Sequence, residues 1–194
     1  IKSKIENTEK EEVSEVEIKD IAESEMSMSQ SNSLRTSSST LPQIQYRAHV
    51  QTKGWLPWVN NQEVTGTIGN ALQMEAFQLK TNSTTLGIRF QTLSENGNWT
   101  SWQSGEQIGG TVNQKRQLEA FRLELTGEDA AKYDVYYRAH SQTFGWLSWA
   151  KNGEKAGTEG YGYRIEAMQV SIVPKGNTTI SNINEIREKN YLNT

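Results

Sequence analysis

YRAHSQTFGWLSWAKNGEKAGTEGYGYRIEAMQV, residues 137–170, decides how this chain is read, because its landmarks occur twice more upstream at matching intervals. The strongest landmark is a tryptophan pair with the same internal gap each time: Trp55 and Trp58, Trp99 and Trp102, Trp146 and Trp149. The pairs start 44 and then 47 residues apart. Eight residues past the second Trp comes a Gly-Thr step (Gly66-Thr67, Gly110-Thr111, Gly157-Thr158), and eight past that Thr a Glu-Ala step (Glu75-Ala76, Glu119-Ala120, Glu166-Ala167). Upstream of the Trp pairs, Tyr46-Arg47-Ala48-His49 recurs as Tyr137-Arg138-Ala139-His140. Ile88-Arg89-Phe90-Gln91 reads as its degenerate version, with two extra residues within Ser94 to Asn98 accounting for the offset. A unit that recurs at a fixed period is a repeat architecture, here of three copies at about 43–83, 84–130 and 131–173.

Within each copy the apolar period is two. Ile44, Tyr46, Ala48 and Val50 alternate with Gln45, Arg47, His49 and Gln51, the pattern of a half-buried strand. Lys53-Gly54, Asn60-Asn61 and Asn152-Gly153 are turn signals, and each copy closes on a longer strand: Leu72 to Lys80, Gln117 to Leu125, Arg164 to Val173. Only Thr81 to Thr85 separates the first closing strand from the next opening strand, so an antiparallel hairpin across the copy boundary is the economical expectation. The last closing strand would then pair with the first opening strand and close a ring, removing free strand edges. The expected fold is all-β, three pseudo-symmetric repeats closed into one domain, β-prism-like or alternatively β-trefoil-like.

Residues 1–25 carry nine acidic and four basic side chains, and 26–42 are rich in Ser, Met, Gln and Asn. Such a segment buries too little apolar surface to offset its ordering entropy, so 1–42 reads as a disordered linker. Residues 174–194 read as a C-terminal linker with a short helix over Asn182 to Asn190. Residues 43–194 hold 15 basic and 14 acidic side chains, a balance that gives no reason to expect nucleic acid. No run approaches the roughly 18 apolar residues of a membrane span. Cysteine is absent, which removes disulfides, thiol nucleophiles and thiolate metal sites. The chain starts at Ile1 and not at Met, so it reads as a processed or excised piece of a larger chain.

The unit Y-R-A-H-x-Q-x-x-G-W-x-x-W, followed by N-G, A-G-T-x-G and R-I-E-A-M, resembles the clostridial hydrophobic repeat with a Gly-Trp signature, the ChW family. Copy three matches best, through Gly145-Trp146, Asn152-Gly153, Ala156-Gly157-Thr158, Gly160 and Arg164-Ile165-Glu166-Ala167. Copy two departs most, with Asn98 before Trp99 and Asn113 for the third Gly. The resemblance covers about 43–173. It implies a secreted or cell-surface protein of clostridia or related Gram-positive bacteria and a binding or adhesion role, with no catalytic residue to carry over.

The candidate ligand-binding residues are Trp55, Trp58, Trp99, Trp102, Trp146 and Trp149, with Tyr161 and Tyr163 added in copy three. Exposed aromatic faces stack on sugar rings, and three equivalent platforms supply avidity for a polymer. Against this stands a purely structural role, with the indoles filling a small core. The repeated carboxylates Glu75, Glu119 and Glu166 suggest catalysis only if two converge. The cross-boundary hairpins instead predict ion pairs Glu75–Arg89, Glu119–Arg138 and Glu166–Arg47. His49 and His140 fall in different copies and make no convincing metal site. No cofactor, metal or enzyme activity is expected. The expected function is non-catalytic binding of cell-wall or extracellular polysaccharide, the alternative being a protein-interaction or adhesion module with a surface protein as partner. Copy two, by its departures, is the copy expected to have lost a site.

Overall fold

The computed structural model describes residues 41–178, Ile180 and 189–194. The linker expected over 1–42, but for its last two residues, and the helix expected over 182–190, but for its last two, lie outside the described residues. The alternation in the first copy puts one face inward as read: Ile44, Tyr46, Ala48 and Val50 are fully buried. That strand is β1 (Ile44–Val50). Copy one continues through β2 (Gly54–Trp55), β3 (Val59–Asn60), β4 (Thr65–Gly66) and β5 (Met74–Thr81). Copy two has β6 (Gly87–Ser94), β7 (Gln103–Ser104), β8 (Gly109–Gly110) and β9 (Leu118–Thr126). Copy three has β10 (Tyr133–Ser141), β11 (Gly145–Trp146), β12 (Ala150–Lys151), β13 (Ala156–Glu159) and β14 (Ile165–Pro174). A last strand, β15 (Tyr191–Asn193), follows.

The long strands pair inside each copy, not across the boundary: β1 with β5, β6 with β9, β10 with β14, all antiparallel. The expected cross-boundary hairpin does not form because the edge of β5 assigned to β6 is taken by β8. The same exchange recurs twice: β13 of copy three lies on β9 of copy two, and β4 of copy one lies on β14 of copy three. Each copy therefore lends its Gly-Thr strand to the preceding copy, and the exchange runs cyclically. The sheets stay three in number, and no barrel closes among the described residues. One apolar cluster joins all three copies, with Phe77 edge-on to Phe90 at 5.1 Å and to Phe121 at 5.6 Å, and Phe121 against Tyr137 at 5.5 Å.

The Gly-Thr and Glu-Ala steps meet where the copies join. In every long pair the register slips by one residue at the same place, opposite His49/Val50, Leu93/Ser94 and His140/Ser141. The residue left without a partner is Glu75, Glu119 or Glu166, each at a β-bulge that turns its carbonyl out of the ladder. Thr111 N–H donates to Glu75 O at 3.0 Å and Thr67 N–H to Glu166 O at 2.8 Å. The preceding glycines Gly66, Gly110 and Gly157 have φ of 106°, 98° and 112°. A Cβ on any of them would sit under 3.0 Å from the carbonyl of Glu166, Glu75 or Glu119. Glycine is required twice over, by its dihedral and by the approach.

Two buried phenols reinforce the joins. Tyr46 O–H donates to Glu63 O and accepts from Val170 N at 3.0 Å, linking copy one to copy three. Tyr137 O–H donates to Glu154 O and accepts from Gly153 N at 3.1 Å, and a backbone hydrogen bond from Leu123 links it to copy two. Burial pushes both phenols well above the usual tyrosine range. The C-terminal stretch read as a linker comes back to the domain, because β15 adds to β13 in parallel, Gly157 opposite Tyr191.

The joining glycine predicts a graded outcome. Gly110→Ala is expected to cost more than about 3 kcal/mol in urea unfolding, through strain and a forced separation of copies. Gly54→Ala, also at positive φ but with nothing within 4 Å of the added carbon, costs about 1 kcal/mol. Equal costs would show that the close approach contributes nothing.

Candidate functional site

The tryptophan pairs lie outside the main apolar cluster. Trp149 is buried in a satellite cluster with Tyr136, Val173 and Ile180, while Trp55, Trp58, Trp99, Trp102 and Trp146 are partly exposed. What each pair holds is a cation. The Arg47 guanidinium lies over both Trp55 and Trp58, at 4.6 and 4.7 Å from the ring centroids. Arg138 does the same to Trp146 and Trp149 at 4.5 and 4.9 Å. Lys80 extends the first stack on Trp58 at 4.5 Å. The indole faces attract the guanidinium electrostatically, more strongly as water is removed. The strands set the geometry: Arg47 and Arg138 stand on the outer face of the opening strand, and the turn at Gly54 or Gly145 brings the first Trp back alongside, His49 opposite Trp55 and His140 opposite Trp146.

Copy two reaches the same arrangement by an exchange. Phe90 and Gln91 occupy the places of Tyr46 and Arg47, as the common bulge register shows. The arginine comes from the other strand, Arg122 of β9, whose guanidinium lies 4.9 Å from Trp102 and 5.7 Å from Trp99. In copy one Arg47 Nε donates to Gln78 Oε1 at 3.1 Å, and in copy two Arg122 Nε donates to Gln91 Oε1 at 2.6 Å. Arg138 Nε donates to Gln169 Oε1 at 2.8 Å in copy three. The Arg/Gln pair is thus kept directly across the ladder while its members change strands. This corrects the alignment of Ile88-Arg89-Phe90-Gln91 with the Tyr-Arg-Ala-His tetrapeptide. The interval of 44 residues between the first two Trp pairs holds through the opening strands as well, with no insertion at Ser94 to Asn98.

The expected ion pairs Glu75–Arg89, Glu119–Arg138 and Glu166–Arg47 presupposed the cross-boundary hairpins and are replaced. Across the ladder Arg47, Arg89 and Arg138 face Gln78, Glu124 and Gln169 of their own copies. Arg89 bonds Glu124 at 2.5 Å in an exposed pair, which contributes little to stability, and also covers Trp102 at 4.5 Å. The bulge glutamates are held locally. Glu75 has His49 Nδ1 at 3.2 Å and Gln73 Nε2 at 3.2 Å. Glu166 has His140 Nδ1 at 3.2 Å and Arg164 Nη2 at 2.8 Å, and Glu119 has Gln117 Nε2 at 3.0 Å. All three are more than nine-tenths buried, each with donors from its own copy, which is a structural use of a carboxylate.

His49 stands edge-on to Trp55 and His140 to Trp146, both at 5.3 Å, so each histidine couples a bulge glutamate to a tryptophan stack. Among the described residues no group of three His, Asp or Glu side chains could hold a metal ion. Tyr161 and Tyr163 meet at 5.6 Å and join Phe144 at 5.4 and 5.5 Å, a partly exposed aromatic trio that only copy three carries. Gln78, Arg122, Lys80 and Lys155, whose ammonium lies 4.9 Å from the Trp99 ring centroid, escaped the sequence reading. The signal for the first two was there: a Gln and an Arg 31 residues apart in every copy, in either order.

The exchange yields a double-mutant test. Arg47→Gln is expected to destabilise by about 2 kcal/mol, losing the stack and the hydrogen bond to Gln78. Arg47→Gln combined with Gln78→Arg rebuilds the copy-two arrangement in copy one and recovers at least half of that loss. A double variant no more stable than the single one, measured by urea unfolding, would contradict the equivalence.

The comparisons agree with this repeat structure. No curated protein and no solved structure matches the chain. The family described as Clostridial hydrophobic W, ChW, matches residues 49–82, 95–127 and 140–174, one segment per copy and together more than half of the chain. With its three Trp-centred copies lying on those segments, the chain belongs to the ChW repeat family.

Proposed function

We propose that the protein is a non-catalytic binding module of the bacterial surface or its surroundings, holding cell-wall or extracellular polysaccharide on its tryptophan stacks. The observation that carries this reading is the placement of Trp55, Trp58, Trp99, Trp102 and Trp146: partly exposed, outside the main core, and stiffened by a stacked arginine. A rigid indole loses little entropy when a sugar ring stacks on it, so pre-organisation favours binding. Three such stations, one per copy, give a polymer avidity that no single weak contact supplies. The partly exposed trio of Phe144, Tyr161 and Tyr163 gives copy three a further aromatic surface. The cyclic exchange of Gly-Thr strands supports a prism-like arrangement of the three sheets. Secretion follows from this reading and not from any segment described here; no helix of the described residues is long and apolar enough to cross a membrane.

A second reading, a peptide or protein partner, has its own observation. In copy three the outer edge of β13 is filled by β15, with Gly157 N–H donating to Asn190 O at 3.1 Å. The equivalent edges of β4 and β8 carry no strand among the described residues, and exposed Val64, Ile68 and Ile108 flank them. An extended peptide adding a strand to either edge, as β15 does to β13, is a recognised mode of binding.

Tryptophan fluorescence separates the two. Purified cell-wall glycan is expected to change the emission saturably, and Trp58→Ala to weaken polymer binding by roughly tenfold while the unfolding transition persists. Indoles unresponsive to every glycan tried, with saturable binding of an extended peptide instead, would overturn the polysaccharide reading.

A further inference from the structure

The departures of copy two are concentrated in one place. Beside its Trp segment lies a cavity of about 450 Å³, within the size range of small-ligand sites. Thr92, Ser94, Thr100, Gln103 and Arg116 line it. By the constant interval of 44 residues their counterparts in copy one are Ala48, Val50, Leu56, Val59 and Leu72. Five apolar positions have become five polar ones, all facing the same space. In copy one Leu56, Val59 and Leu72 pack onto the central core. Their replacements in copy two do not join that core, and the space beside the Trp segment stands open.

The polar lining is not satisfied from within. Thr92 is 1% exposed, and its Oγ1 has no hydrogen-bond partner. An unsatisfied buried hydroxyl is a cost that a native structure normally avoids, and a bound ligand supplies the missing partner. Thr100 Oγ1 accepts from Thr92 N at 3.1 Å, which leaves its own hydroxyl proton to donate. Arg116 is the one charged side chain in the lining; a single N–H, on Nη2, is committed, to Glu95 O at 3.0 Å. Hydroxyls, the two amides of Asn98 and Gln103 and one guanidinium, with no aliphatic or aromatic residue in the lining, select against an apolar ligand.

We propose that this cavity is a saccharide subsite specific to copy two, taking one ring that bears a carboxylate, with the hydroxyl side chains reading the ring and Arg116 the acid group. It deepens the polysaccharide reading above and rests on it for the choice of a sugar. The copy expected to have lost a site thus becomes the copy with the selective one, while the Trp stacks supply the general grip.

The test is an NMR titration of the full chain with glucuronate, glucose and acetate as separate probes. Glucuronate is expected to shift the amide signals of Thr92, Ser94 and Thr111 saturably, at least tenfold more tightly than glucose. Arg116→Gln removes that tenfold advantage. Grafting the copy-one residues, Thr100→Leu with Gln103→Val and Arg116→Leu, fills the space and abolishes the shifts while the rest of the spectrum stays folded. No saturable shift at these signals overturns the proposal, as does binding that survives the graft. Acetate binding as tightly as glucuronate reduces the cavity to an anion site and also overturns it. The polysaccharide reading fails separately, by unresponsive indoles in the wild-type chain with polymer, whatever the cavity does.

Discussion

Three backbone contacts, each a glycine of one copy set against a bulge carbonyl of the copy that precedes it in the cycle, hold the ring of copies together. An antiparallel pair of long strands exposes one edge that must be covered, and each copy covers its neighbour's edge with a strand of only two to four residues. So short a strand has little pairing energy of its own. It stays because the bulge at Glu75, Glu119 or Glu166 presents a carbonyl to the Gly-Thr step and the glycine lets the backbone come close. The glutamate side chains, buried beside their own Gln73, Gln117 or Arg164, keep the bulge in place. The Gly-Thr and Glu-Ala steps, eight residues apart in each copy, are therefore halves of two different joints, each completed by a neighbouring copy.

Once the joints are set, the outer face of each sheet is free for the Arg–Trp stack. Copies one and three build it from the opening strand and copy two from the closing strand, yet the guanidinium ends between the same two indoles. That outcome says the stack itself, not the identity of either position, is what the fold retains. The histidines extend it inward in copies one and three, towards the bulge glutamates. In copy two Leu93 takes the histidine's place, in keeping with a copy whose polar groups have moved to the cavity under Thr92 and Arg116.

The repeat, the strand period and the three-copy all-β organisation were legible because tryptophan pairs and Gly-Thr steps recur at fixed intervals that only one repeating unit explains. Strand partnership was not. A five-residue connection between Lys80 and Leu86 is as compatible with a crossing as with a hairpin, and the sequence does not show that the edge of β5 is already taken by Gly109-Gly110. The ion pairs failed with the hairpins they assumed. The exchange of Arg47/Gln78 into Gln91/Arg122 hid for a different reason: matching tetrapeptides by residue type pulls Arg89 onto Arg47, whereas the backbone register does not. The cavity could not be read from Thr92 or Gln103 alone, because only the apolar counterparts in copy one reveal what those positions ordinarily fill.

Repeats stacked in a line lose and keep their neighbours one at a time, whereas copies that lend strands around a ring stand or fall together. Native-state hydrogen exchange at the amides of Thr67 and Thr111, the two donors to the bulge carbonyls, tests this most directly. The account predicts that both open only with the whole domain, with the same opening free energy and denaturant dependence as Ala48 in the core of copy one. Exchange of either amide through a separate, low-energy opening that leaves Ala48 protected would contradict it.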